Sequence, residues 1–204
     1  MSEYIVDRGM VQGVTAQGVN PATLIEKITR ERMYESRYWK EECFGLDAAT
    51  LCDRAVELKF IGGNYGSNLT VSPFLCLLFK MIQLSPEREI ILEYLNQEDF
   101  KYLRALAAMY IRIFFRPHEV FQLLEPLLAD YRKLRLRSGN QVTLTHMDEF
   151  IDALLTQQRV CDTTLPRLPK RIALEDMEQL EPRESALQSE LESDSDSNSD
   201  GGDG

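Results

Sequence analysis

The chain has little that catalysis would need. Among its 204 residues are two histidines, His118 and His146, and one tryptophan, Trp39. The four cysteines, Cys43, Cys52, Cys76 and Cys161, are widely spaced, with no Cys-x-x-Cys pair. A zinc site needs close-paired ligands and a Cys/His nucleophile needs an activated thiol. Neither pattern is present, so the thiols read as reduced core residues, and no metal or other cofactor is expected. Long hydrophobic runs are absent too, and Phe74–Phe79 is far short of the roughly 20 residues of a membrane helix. The first residues hold no basic stretch followed by an apolar one, so no secretory signal is expected. The sequon Asn68-Leu69-Thr70 should therefore stay unmodified. Gly62-Gly63-Asn64-Tyr65-Gly66 lacks the Gly-Lys-Ser/Thr of a phosphate loop and reads as a turn between helices. The pairs Glu41-Glu42 and Asp148-Glu149 point about 100° apart on a helix, so they do not face one another as acid and base.

An excess of positive charge is missing as well. The net charge is −10, and residues 175–204 hold eleven acidic side chains against one basic, Arg183. The remaining 174 residues are formally neutral, with 22 of each sign. Strong nucleic-acid binders take their affinity from phosphate neutralisation, so a neutral body is a poor candidate for one. Local basic runs remain, chiefly Arg132-Lys133-Leu134-Arg135-Leu136-Arg137 and the weaker Pro166–Arg171. For Arg132, Lys133, Arg135 and Arg137 two readings stand: RNA contact, or the solvent face of a helix end and hairpin.

What is present is helical periodicity. Residues 1–19 form a poorly patterned, flexible leader, and order should begin at Asn20-Pro21, an N-cap with proline behind it. Leu24, Ile25 and Ile28 mark the buried face of a first helix, which continues toward a glycine cap at Gly45. Asp47 caps the next. Ser72-Pro73 opens a helix apolar on nearly all sides except Lys80 and Gln83, the mark of a central bundle helix. Ser85-Pro86 opens a short helix. Glu98–Phe115 should form a second central helix with Lys101, Arg104, Ala108 and Arg112 as a narrow polar stripe. Pro117 starts another, whose heptad-like spacing runs through Leu134 with a kink at Pro126. Residues 134–145 alternate around Ser138-Gly139-Asn140 as a β-hairpin, followed by a helix capped by Thr145 and Asp148. Residues 162–170 should be extended, and Leu174–Leu191 a final helix interrupted by Pro182. The expected fold is predominantly all-α: one helical interaction domain over 20–182, one small hairpin, and a disordered acidic tail over 183–204. In that tail Ser189, Ser193 and Ser197 each have an acidic residue three positions on, the pattern of an acid-directed kinase.

Tyr34, Tyr38, Trp39 and Phe44 crowd one short segment, as core packing or as partner anchors; Trp, Tyr and Arg are enriched in binding hot spots. The stretch Tyr34-Glu-Ser-Arg-Tyr-Trp-Lys-Glu-Glu-Cys-Phe-Gly-Leu46 resembles a signature of the pre-mRNA-splicing factor 38 family. Leu58–Gly66, Glu98–Leu106, and His146–Asp152 with Arg159–Asp162 also match it, in order. The resemblance implies a nuclear, non-enzymatic scaffold of the spliceosome that accompanies the tri-snRNP at activation. It implies partners bound as helical segments: a microfibrillar-associated-protein-like factor and a zinc-finger splicing factor. Tyr34, Tyr38, Trp39, Glu42, Tyr102, Arg104 and Tyr110 are the expected partner-binding residues. The alternative is a direct RNA-binding factor using the basic runs. Animal members of that family carry a long Arg/Ser-rich C-terminal segment where this chain has a short Ser/Asp-rich one of opposite charge, so the resemblance implies the domain's function alone.

Overall fold

The computed structural model describes residues 15–16 and 18–183. Most of the leader and the acidic tail, with Ser189, Ser193 and Ser197, lie outside these residues. The chain divides into two units, Met1–Leu168 and Pro169–Gly204.

In the first unit, Asn20 caps a 3-10 turn, Pro21–Leu24, by accepting from the Ala22 N–H. The first helix is not continuous, as the sequence had implied. It breaks after this turn into α1 (Lys27–Glu35) and α2 (Arg37–Glu42). Leu24 and Ile25 are buried, but Ile28 is 53% exposed, because the break rotates the buried face onto Thr29, Arg30 and Met33. Asp47 caps α3 (Ala48–Val56) in a reciprocal box with Thr50. Ser72 opens α4 (Pro73–Leu84), accepting from the Leu75 N–H at 3.1 Å. α4 is buried on almost every side and ends where Ser85 turns left-handed, φ 44°. Ser85 thus closes α4, and α5 (Arg88–Asn96) starts three residues later. α6 (Lys101–Phe114) is the second central helix and packs on α3, α4, α5 and α8. α7 (Pro117–Leu124) runs into a 3-10 turn, Glu125–Ala129, around Pro126, so the heptad pattern stops there and Tyr131 is exposed.

The hairpin forms as expected, slightly longer: β3 (Lys133–Ser138) pairs antiparallel with β4 (Gln141–His146), Leu136 opposite Thr143. The next helix, α8 (Met147–Thr156), is capped at His146, whose N–H donates to Glu149; Thr145 donates to the same carboxylate, and Asp148 is not the capping acid. Two further two-residue hairpins were not foreseen. β1 (Asn64–Tyr65) pairs with β2 (Thr70–Val71), and β5 (Arg159–Val160) with β6 (Thr163–Thr164). The expected helix-to-helix turn over the glycines is therefore a strand-bearing loop. Gly62 (φ +147°) and Gly63 have no room for a side chain. A Cβ on Gly62 would stand 2.2 Å from the Arg137 carbonyl oxygen, and one on Gly63 2.2 Å from Asp162 Oδ2.

The second unit is described through residue 183 and holds α9 (Arg171–Asp176). Arg171 pairs with Glu175 one turn on. Of the helix expected over Leu174–Leu191, the part among the described residues ends at Asp176, with Glu178 left-handed at φ 56°, and residues 184–191 lie outside the described residues.

Candidate functional site

Ser36 sets the geometry of the aromatic segment. Its extended backbone breaks α1 from α2, its hydroxyl donates to the Met33 carbonyl (2.7 Å), and it accepts from the Trp39 N–H (3.2 Å). Across that corner Tyr34 and Trp39 meet edge to face, centroids 5.2 Å apart, and both pack on Phe79 of α4. Gly45 then takes a left-handed φ of +67°, a cost most residues avoid. Just before it, Phe44 projects into solvent, 85% exposed. Tyr34, Trp39, Cys43 and Phe44 from this corner, with Lys80 and Gln83 from α4, enclose a cleft of about 510 Å³. Gln83 donates to the Tyr34 hydroxyl at 3.1 Å, which fixes one wall. The cleft is an aromatic trough with a cation, Lys80, beside it. Of the expected partner-binding residues, Tyr34 and Trp39 are half-buried in it, each with one side on the core. Tyr38 is half-buried against the core, with its phenol pKa pushed up by burial. Glu42 pairs with Arg54 at 3.2 Å, partly exposed.

The other three expected residues lie elsewhere. Tyr110 is 4% exposed and stacks on Phe114 at 4.4 Å, with its pKa pushed up to about 12 by burial. Arg104 is also inside. The stripe of Arg104 and Arg112 on α6 faces into the protein, because both guanidiniums reach backbone carbonyls and Arg104 also reaches an ion-pair partner. Arg104 donates to the Leu95 carbonyl (2.8 Å) and Asp130 (3.0 Å). Arg112 donates to the carbonyls of Leu154 (2.7 Å) and Pro166 (2.8 Å), and burial pulls its pKa down to about 10. Tyr102 stands at a second cleft, of about 400 Å³, beside Lys59, Lys101, Lys133, Arg135 and Leu144. There the Arg135 N–H donates to the Tyr102 hydroxyl (3.3 Å), and Lys101 donates to the Lys133 carbonyl (2.7 Å).

The basic run divides in two. Arg132 is held by Asp130, through Nε (2.8 Å) and Nη2 (2.5 Å), and it donates to the Glu98 carbonyl. Arg137 lies 3.8 Å over the Tyr65 ring and 5.4 Å over Phe60. Lys133 and Arg135 are exposed and form no ion pair among the described residues. Half the run is thus engaged inside the fold, and the Arg137 stack takes one face of each neighbouring ring. The thiols are poor nucleophiles: burial pushes Cys43 up to about 12 and also raises Cys52, Cys76 and Cys161.

Gly45, Lys80 and Gln83 were not among the expected binding residues, and Phe44 was considered only as one of two readings of its segment. Their signal was in the sequence: Lys80 and Gln83 interrupt an otherwise apolar helix, and Phe44-Gly45 sits just before a cap. A model of the PRP38 family matches residues 14–178. The chain belongs to the PRP38 family. It is 50% identical over 189 residues to pre-mRNA-splicing factor 38A of Homo sapiens, covering 92% of this chain and 61% of that protein. The protein of the same name from Xenopus laevis gives the same identity and coverage. This PRP38-family chain thus spans about three fifths of the length of the curated relatives it matches. A solved chain in the crystal structure of the Snu23-Prp38-MFAP1(217-258) complex of Chaetomium thermophilum is also 50% identical, with a TM-score of 0.82 over 90% of this chain and 98% of that one.

Proposed function

We propose that this chain is a non-enzymatic scaffold of the nuclear spliceosome, needed for pre-mRNA splicing, which docks helical segments of other splicing proteins. The family membership and the solved Snu23–Prp38–MFAP1 complex support the spliceosomal role. A microfibrillar-associated-protein-like factor and a zinc-finger splicing factor are its proposed partners. The tri-snRNP activation stage is the proposed setting. The observation that carries the docking role is the trough at the α1–α2 corner, where Phe44 is 85% exposed beside half-buried Trp39. Direct RNA contact is the weaker reading, since Arg132 and Arg137 are already engaged within the domain.

The test is calorimetry with the MFAP1 segment of that complex, at two salt concentrations, on wild type and Phe44→Ala. Covering a phenylalanine side chain contributes about 1.5–3 kcal/mol, so Phe44→Ala should weaken binding about tenfold to a hundredfold. The affinity should change little with salt, since the contact is apolar. Unchanged affinity for Phe44→Ala would refute the trough as the docking site.

A further inference from the structure

The β3–β4 hairpin has one covered edge and one open edge. On β3, Arg135 accepts from the Ile61 N–H (2.8 Å), and the Arg137 N–H donates to the Ile61 carbonyl (2.9 Å). Both residues therefore turn their backbone groups away from β4. Pairing in an antiparallel ladder alternates, so their cross-strand partners Leu144 and Val142 turn theirs outward along the far side of β4. No strand among the described residues pairs with that side. The same two side chains are 60% and 59% exposed, unusual for aliphatics on a strand. Their face also carries Lys133, Arg135 and Arg137, and it holds one carboxylate contact, Glu149 against His146 at its end.

We propose that the open edge of β4 is a strand-addition site for an extended, acidic segment of a partner protein. The outward N–H and C=O groups of Val142 and Leu144 supply the ladder. The two aliphatic side chains are covered by apolar residues of the incoming strand. Lys133 and Arg135, unpaired among the described residues, meet its carboxylates; their long side chains bridge the roughly 10 Å between a strand and its second neighbour. RNA fits the face less well. Val142 and Leu144 offer nothing for a base to stack on. Each nearby ring already has a cation over one face: Arg137 over Tyr65 and Phe60, Lys101 over Tyr102. This site is separate from the aromatic trough and does not rest on it.

The test is a titration of the full chain, followed by backbone amide NMR, with a synthetic peptide of about ten alternating glutamates and valines. The expected result is binding with shifts centred on Val142 and Leu144. Leu144→Pro removes an outward N–H while sparing the bonds to β3, and it should weaken binding at least about tenfold. Arg135→Glu should do the same by charge, and it decides the question if Leu144→Pro does not fold. A lysine–valine peptide should leave these resonances in place. Wild-type binding by Arg135→Glu, equal binding of the lysine–valine peptide, or stronger binding of a uridine oligonucleotide to the same resonances would each overturn the proposal.

Discussion

Asp130 is a residue whose change by one heavy atom, to Asn, should be costly. It sits at the end of the 3-10 turn after α7, 11% exposed, and accepts from Arg104 of α6 and from Arg132 at the root of β3. Its backbone carbonyl accepts from the Asp148 N–H at the start of α8. The carboxylate therefore joins α6 to the hairpin, and the backbone of the same residue ties in α8. The Arg132 hydrogen bond, with help from Arg104, holds its pKa down from 3.8 to about 2. Each unit of that depression corresponds to roughly 1.4 kcal/mol of stability at neutral pH, so the charge contributes about 2 kcal/mol. Asp130→Asn also turns an amide donor toward guanidinium donors, which adds about 1 kcal/mol or more. The expected loss is about 2–4 kcal/mol, or about 4–15 °C in melting temperature for a domain of this size. Urea unfolding measures it directly. The folded pKa lies below the unfolded one, so the unfolded chain binds the proton more tightly. The wild-type advantage is therefore full above the ordinary value of 3.8 and fades as pH falls through about 2. A difference under about 0.5 kcal/mol at pH 7, or one undiminished near pH 2, would refute this account.

Two other perturbations probe the frame around the sites. Gly62→Ala forces a Cβ against the Arg137 carbonyl at a left-handed φ and should destabilise by more than about 2 kcal/mol, read as a lower urea midpoint with lost amide protection across Arg135–Leu144. Arg112→Ala strands the Leu154 and Pro166 carbonyls and should cost about 2–4 kcal/mol, with exchange in 159–168 accelerating first. Arg112→Met, which keeps the buried stem, should recover part of that loss, since a buried cation without a carboxylate is only partly compensated.

Local chemistry explains what could be read ahead of the structure. Asn20, Asp47, Ser72 and Pro117 each start a helix or turn where their side chains dictate, because a cap acts within three residues. The all-round apolar pattern of α4 and the alternation of β3 and β4 were equally local. The burial of Arg104 and Arg112 was not legible, because a polar residue at helical spacing looks the same whether it meets water or a carbonyl on another helix. The β1–β2 and β5–β6 hairpins were invisible because two-residue strands carry no periodicity. The trough was only half legible: its aromatics are contiguous, but Lys80 and Gln83 arrive from α4.

The Asn64 N–H donates to Asp162 at 2.7 Å, closing a contact between residues 98 apart in sequence. Ile61 and Gly66 likewise find their partners at Arg135 and Gly139. The glycine loop, closed locally by β1–β2 and Ser72, is therefore also held by chain that is synthesised much later. On the ribosome, α3 and α4 can pair at once, while the loop waits for β3 and then for Asp162 to emerge. The loop against the covered edge of β3 can therefore close completely only after Asp162 has emerged.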